Sequence, residues 1–305
     1  MQGVDTIFDN NKVPLKKLWQ VIMASSVGTV IEWYDFYIFG SLSAIISVSF
    51  FPKEDPTAAF ISTLAAFGAG FVARPFGGVL FGRLGDLIGR KYTFLLTLLL
   101  MGGSTFAIAF IPSYEKIGLV APALLLALRI IQGLALGGEY GGAATYVAEY
   151  APDAERGKYT SYIQTTATLG FFVSILVILA TQQLLGDAAF KDWGWRVPFA
   201  LSGILVVVSY FIRRNMDESP LFSKLKVEGR LSENPLKEAF ASKANRRLML
   251  IAMFGAIVGQ GVVWHTGQFY AQIFINKILQ VDFITTNLII AASLVVGTPL
   301  FVYFG

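Results

Sequence analysis

Gly82-Arg83-Leu84-Gly85-Asp86-Leu87-Ile88-Gly89-Arg90-Lys91 is a charged, glycine-rich break between two long apolar runs, at about 57–82 and 91–111. Glycines let the chain turn there. Asp86 can accept hydrogen bonds or face a helix N-terminus, and Arg90 is long enough to reach a neighbouring carboxylate. An apolar run of about 20 residues crosses a hydrocarbon core of roughly 30 Å. Two such runs with a short polar break between them read as a helical hairpin through a bilayer, with the break as a charged latch on one side.

The same pattern extends in both directions from this break. Apolar runs recur at about 20–50, 57–82, 91–111, 119–148, 160–184, 195–213, 246–277 and 283–305, which predicts eight membrane helices. Composition agrees. The 305 residues are 55% hydrophobic and only 14% charged, where a soluble domain carries about 25% charged residues. A net charge of +4 without basic–aromatic interleaving excludes nucleic acid as a partner, and the absence of cysteine excludes disulfides and thiol chemistry. The segment Met1 to Gln20 is polar and lacks a small-residue cleavage pattern, so the first apolar run is expected to be a retained helix.

Lys and Arg mark the side of the membrane. Lys12, Lys16, Lys17, Arg83, Arg90, Lys91, Arg156, Lys158 and nine more in the 213–247 loop share one side, expected to be cytoplasmic. Lys53, Lys116, Lys191, Arg196 and Lys277 lie on the other, where Trp193 and Trp195 are expected at the interface. Within the loop, Ser219-Pro220 and Asn234-Pro235 each read as an N-cap followed by proline at the first helical position. Two short amphipathic helices on the membrane surface fit that pattern, and a plain flexible linker is the alternative. The expected organisation is an N-terminal six-helix lobe (1–212), a cytoplasmic inter-lobe loop (213–245) and the first two helices of a second lobe (246–305).

Ionisable groups inside a bilayer are costly and normally face a cavity or a partner. Glu32 and Asp35 are three residues apart, hence on one face of the first helix, and Arg74 and Arg129 lie in the second and fourth. Two acids and two bases allow internal pairing. They form either a proton-titrated carboxylate–arginine device, with Asp35 and Arg129 its centre and Glu32 beside them, or permanent ion pairs that fasten helices. Tyr34, Tyr37, Gln132 and Gln268, with Arg74, are the candidate substrate contacts. His265, the only histidine, reads first as a packing residue. Gly133, Gly137 and Gly141 recur every four residues, a spacing that lets helix backbones approach closely. No His-Glu-x-x-His pattern or serine–histidine arrangement favours an enzyme, and no metal site is indicated.

Gly82, Asp86, Gly89, Arg90 and Lys91 resemble the loop 2–3 signature of the major facilitator superfamily. Glu32-Trp33-Tyr34-Asp35-Phe36, Arg74-Pro75-Phe76-Gly77-Gly78, Arg129 to Gly141, Trp193 to Phe199 and Glu218-Ser219-Pro220 are similar to its metabolite:proton symporter branch, which includes 2-oxoglutarate, shikimate, citrate and proline/betaine permeases. His265 departs from the aromatic residue expected there. The resemblance implies an all-α, multi-pass bundle in a bacterial-type inner membrane. It also implies alternating access around a central cavity and symport of a small organic acid or zwitterion with protons. The proton gradient is the energy source, without a cofactor. Arg90 should contact the end of helix four near Glu149 or Asp153, Asp86 should face the second lobe, and Arg129 matches the helix-four arginine tied to proton transfer. Family members have about twelve helices, and Tyr303-Phe304-Gly305 resembles Leu80-Phe81-Gly82, so the chain is expected to stop where a second latch motif begins. A non-transporting sensor or inactive fragment is the alternative.

Overall fold

In the computed structural model, residues 14–304 are described apart from Glu233; Lys12 and Gly305 lie outside the described residues. Regular structure among them is helical throughout. Seven helices are long and apolar enough to cross a membrane. Leu15–Ser41 is not one of these, because Glu32, Asp35 and its tyrosines dilute its apolar character. It is nonetheless the axis of the bundle: every residue from Ile31 to Ser43 is buried. A helix covered on all sides can carry polar groups only where its neighbours satisfy them.

We number the spans in chain order. Span 1 is Leu15–Ser41 continued, past an offset at Leu42, by Ser43–Phe50. Spans 2, 3 and 4 are Pro56–Ile88, Arg90–Ile108 and Val120–Tyr150. Spans 5 and 6 are Arg156–Leu185 and Arg196–Arg214. Two short helices follow, Pro220–Val227 and Pro235–Ala241. Lys243–Ile278 and Phe283–Phe304 are spans 7 and 8. Span 2 packs on span 4, span 1 on span 5, span 3 on span 6, and span 8 on span 5.

Several expectations need correction. The motif from Gly82 to Ile88 is helical, and the chain turns only at Gly89, whose φ of 104° is closed to most side chains. Trp195 is fully buried against Phe50 and Phe199 rather than at an interface, whereas Trp193 is exposed. The expected Ser219 cap is present, its hydroxyl accepting from the Phe222 N–H, but the Asn234 side chain makes no cap. Arg213 is not a loop residue: it lies in the last turn of span 6 with its side chain turned into the bundle, 2% exposed.

The glycine stripe of span 4 divides in two. A methyl group at Gly133 would land on the Gly70 carbonyl, and one at Gly137 on the Arg74 carbonyl, so spans 2 and 4 touch backbone to backbone. Gly141 has open space beside it and borders a cavity instead.

Candidate functional site

A cavity of about 510 Å³ opens between spans 1, 2, 4, 5 and 7. Trp33, Phe71, Trp264 and His265 give it aromatic walls, Gln164 and Gln260 give it amides, and Gly141 leaves open space beside it. Arg74 is the charged residue of the lining. Its Nε and Nη2 are buried without a hydrogen-bond partner. In place of a carboxylate, the guanidinium lies 4.2 Å from the Phe36 ring centre, 4.3 Å from Phe71 and 5.5 Å from Trp33. Cation–π contacts hold its position while leaving N–H donors for a ligand.

Span 7 closes this cavity along one side. It winds as a π-helix at Met253–Ile257, Thr266–Tyr270 and Phe274–Ile278, and such turns are frequent at functional sites. Between the first two, Trp264 donates to the Tyr37 hydroxyl at 3.1 Å. The His265 ring stands edge-on to Phe71, with Nδ1 2.8 Å from the Gly261 carbonyl and Nε2 buried without a partner.

Asp35 and Arg129 do not form an ion pair. Asp35, 1% exposed, accepts from the Ser202 hydroxyl, while the Thr105 hydroxyl donates to the Met101 carbonyl at 3.0 Å. Thr105 in turn accepts from Gln132 Nε2 at 2.7 Å, and Gln132 Oε1 accepts from Arg129 Nη1 at 2.6 Å. Hydroxyl, amide and guanidinium thus form a hydrogen-bonded chain from Thr105 to Arg129 that ends near Asp35 without bonding to it. Arg129 stacks over Phe36, Phe39 and Phe67, with Nε and Nη2 unsatisfied.

Glu32 also avoids both expected arginines. Its Oε1 is 2.9 Å from Arg213 Nη2, and Glu139 Oε1 is 2.6 Å from the same nitrogen. Glu139 further accepts from Thr97, and Arg213 Nη1 donates to the Phe94 carbonyl at 3.0 Å. Room for the guanidinium comes from Gly28, where a methyl group would collide with it.

The latch gathers at the Gly89 end of the bundle. Arg90 reaches Glu149 at 3.1 Å, as the motif implies. Asp86 is half exposed and only 4.0 Å from Arg90. The helix N-terminus beside it is capped by a different acid: Glu218 accepts from the Arg90 and Lys91 N–H groups at 2.9 and 3.3 Å. Ser219 donates to Glu149, and the Tyr146 hydroxyl donates to the Asp217 carbonyl at 2.6 Å. Gly82, inside span 2, has open space beside it.

Of the substrate candidates, Arg74 lines the cavity and Tyr37 lies behind Trp264. Tyr34 donates to the Pro198 carbonyl, and Gln132 belongs to the buried chain. Gln268 is not in the cavity wall, and its Oε1 is buried without a partner. Trp33, Gln164, Gln260 and Trp264 were not anticipated as lining; polar residues within apolar spans were the available signal.

A family profile described as "Sugar (and other) transporter" matches residues 20–233. The inner membrane metabolite transport protein YhjE of Escherichia coli is 44% identical over 74% of this chain and 52% of its own length. The alpha-ketoglutarate permease of the same organism is 38% identical over 84% and 58%, and its proline/betaine transporter 39% identical over 72% and 43%. The chain thus spans about half the length of these relatives. Among solved structures, the proton:xylose symporter XylE superposes with a TM-score of 0.75 at 19% identity, over 95% of this chain and 68% of that one.

Proposed function

This chain belongs to the sugar (and other) transporter family of the major facilitator superfamily, and on that premise we propose that it serves proton-coupled symport of a small carboxylate or zwitterion by alternating access. The observation that carries the substrate class is Arg74: a guanidinium with unpaired donors on a cavity whose lining, among the described residues, includes no Asp or Glu. A carboxylate is its natural partner. The aromatic walls suit either an apolar body or a quaternary ammonium group. Carboxylate-bearing solutes are common to the names of the alpha-ketoglutarate and proline/betaine relatives, which agrees with this reading.

Proton coupling is supported by Asp35, a buried carboxylate held by the Ser202 hydroxyl rather than by a cation and set near the end of the Thr105–Gln132–Arg129 chain. A proton taken up at Asp35 changes the charge near one end of this chain, and the Arg129 guanidinium at the other end responds. The latch of Arg90, Glu149 and Glu218 would then stabilise one of the two open states. The positive side, with the Pro220–Val227 helix, is assigned to the cytoplasm.

Uptake into proteoliposomes of a panel of organic acids and betaines, with and without an inward proton gradient, tests the proposal. Gradient-stimulated uptake of at least one carboxylate is expected. No stimulation across the panel would overturn it.

A further inference from the structure

Two carboxylates and one guanidinium meet at the Glu32–Arg213–Glu139 cluster, each no more than 2% exposed. Both acids use the same nitrogen, Arg213 Nη2. The two carboxyl groups are therefore neighbours across a single guanidinium nitrogen. Arg213 can balance one negative charge. A second, fully ionised carboxylate would leave a net charge buried in a low-dielectric interior, which is strongly disfavoured. Glu32 supplies a further sign: beyond the contact of Oε1 with Arg213, its two buried carboxyl oxygens accept no hydrogen bond among the described residues. A buried carboxyl whose one charged donor is shared with a second acid is poorly stabilised as an anion and well placed to take up a proton.

We propose that Glu32, Glu139 and Arg213 form a second proton-binding site, in which the two carboxyl groups hold one exchangeable proton between them. Span 1 contributes Glu32, span 4 contributes Glu139 and span 6 contributes Arg213. Span 3 adds only the neutral Thr97 hydroxyl and the Phe94 carbonyl. No other charged group among the described residues pairs with these three. Asp35, one turn along span 1, is engaged by Ser202 instead. Binding the proton makes the cluster neutral, and releasing it leaves one negative charge that pulls Arg213 harder from both sides. Because Arg213 lies in the last turn of span 6 and the Asp217–Glu218 segment of the latch follows directly, the charge of the cluster bears on the latch. That coupling role rests on the symport reading; the proton site itself does not.

Infrared difference spectroscopy of the purified protein, in light and heavy water, reads the carboxyl groups directly. Wild type at neutral pH is expected to show a buried carboxylic-acid carbonyl band with a deuterium shift. Glu32→Gln and Glu139→Gln should each remove that same band, and Asp35→Asn should leave it. A wild-type spectrum without such a band overturns the proposal even if both glutamine variants misfold. So does a band that survives both substitutions. Uptake that ignores a proton gradient while the band is present would sink the symport reading and leave the site standing.

Discussion

Arg74 is the residue on which substrate recognition turns. A charge-assisted hydrogen bond to a carboxylate contributes about 1.5–3 kcal/mol, so Arg74→Gln should weaken binding of a carboxylate about ten- to hundredfold. Quenching of Trp33 and Trp264, which line the same cavity, is a direct readout. Unchanged affinity would move the substrate elsewhere. Asp35→Asn removes a charge without changing shape; binding should persist while gradient-driven accumulation is lost, and normal accumulation would remove Asp35 from the coupling. Both residues were legible in the sequence, since charges inside apolar runs are conspicuous. Their partners were not. Glu32, Asp35, Arg74 and Arg129 balance to zero on paper, which invites pairing among themselves. Setting Glu139 beside them leaves one acid over and calls for a third buried cation. Arg213 was hidden from that count by its place in a row of basic residues at a span end.

Helix contacts supply the next set of expectations. Spans 2 and 4 meet where Gly137 faces the Arg74 carbonyl, so Gly137→Val should force them apart, at about 1–3 kcal/mol for an overpacked site. Gly141→Ala, four residues on, enters open space and should leave the thermal midpoint nearly unchanged. Equal effects of the two would contradict the division of the stripe. At the latch, Gly89→Ala must hold a φ of 104° with a Cβ directed at the Glu218 carboxylate, which costs about 1–3 kcal/mol. Glu218→Ala removes only the cap, about 1 kcal/mol. A larger midpoint loss for Gly89→Ala is expected in a thermal melt. The family resemblance implied a contact of Arg90 with Glu149 or Asp153, and Glu149 is the one it meets. The role of Glu218 was not readable, since it depends on how the chain folds back after span 6 to meet the start of span 3.

For the molecule as a whole, hydropathy located the spans to within a few residues at most ends, and the basic residues assigned its sides. Absence of cysteine gives a clean background for testing that assignment. A cysteine at Lys226 should react with an impermeant thiol reagent only from the cytoplasmic face, and one at Lys116 only from outside; the reverse pattern would invert the topology. The π-turns of span 7 and the cavity they border were invisible, because apolar periodicity does not encode where a helix widens. The central claim is that a carboxylate bound at Arg74 is linked to a proton held in the bundle. Isothermal titration of one carboxylate substrate in two buffers of different ionisation enthalpy measures that linkage without requiring transport. We expect binding enthalpies that differ between the buffers by the amount due to net proton uptake, with the difference reduced in Asp35→Asn. Tight carboxylate binding with identical enthalpies in both buffers would contradict the account.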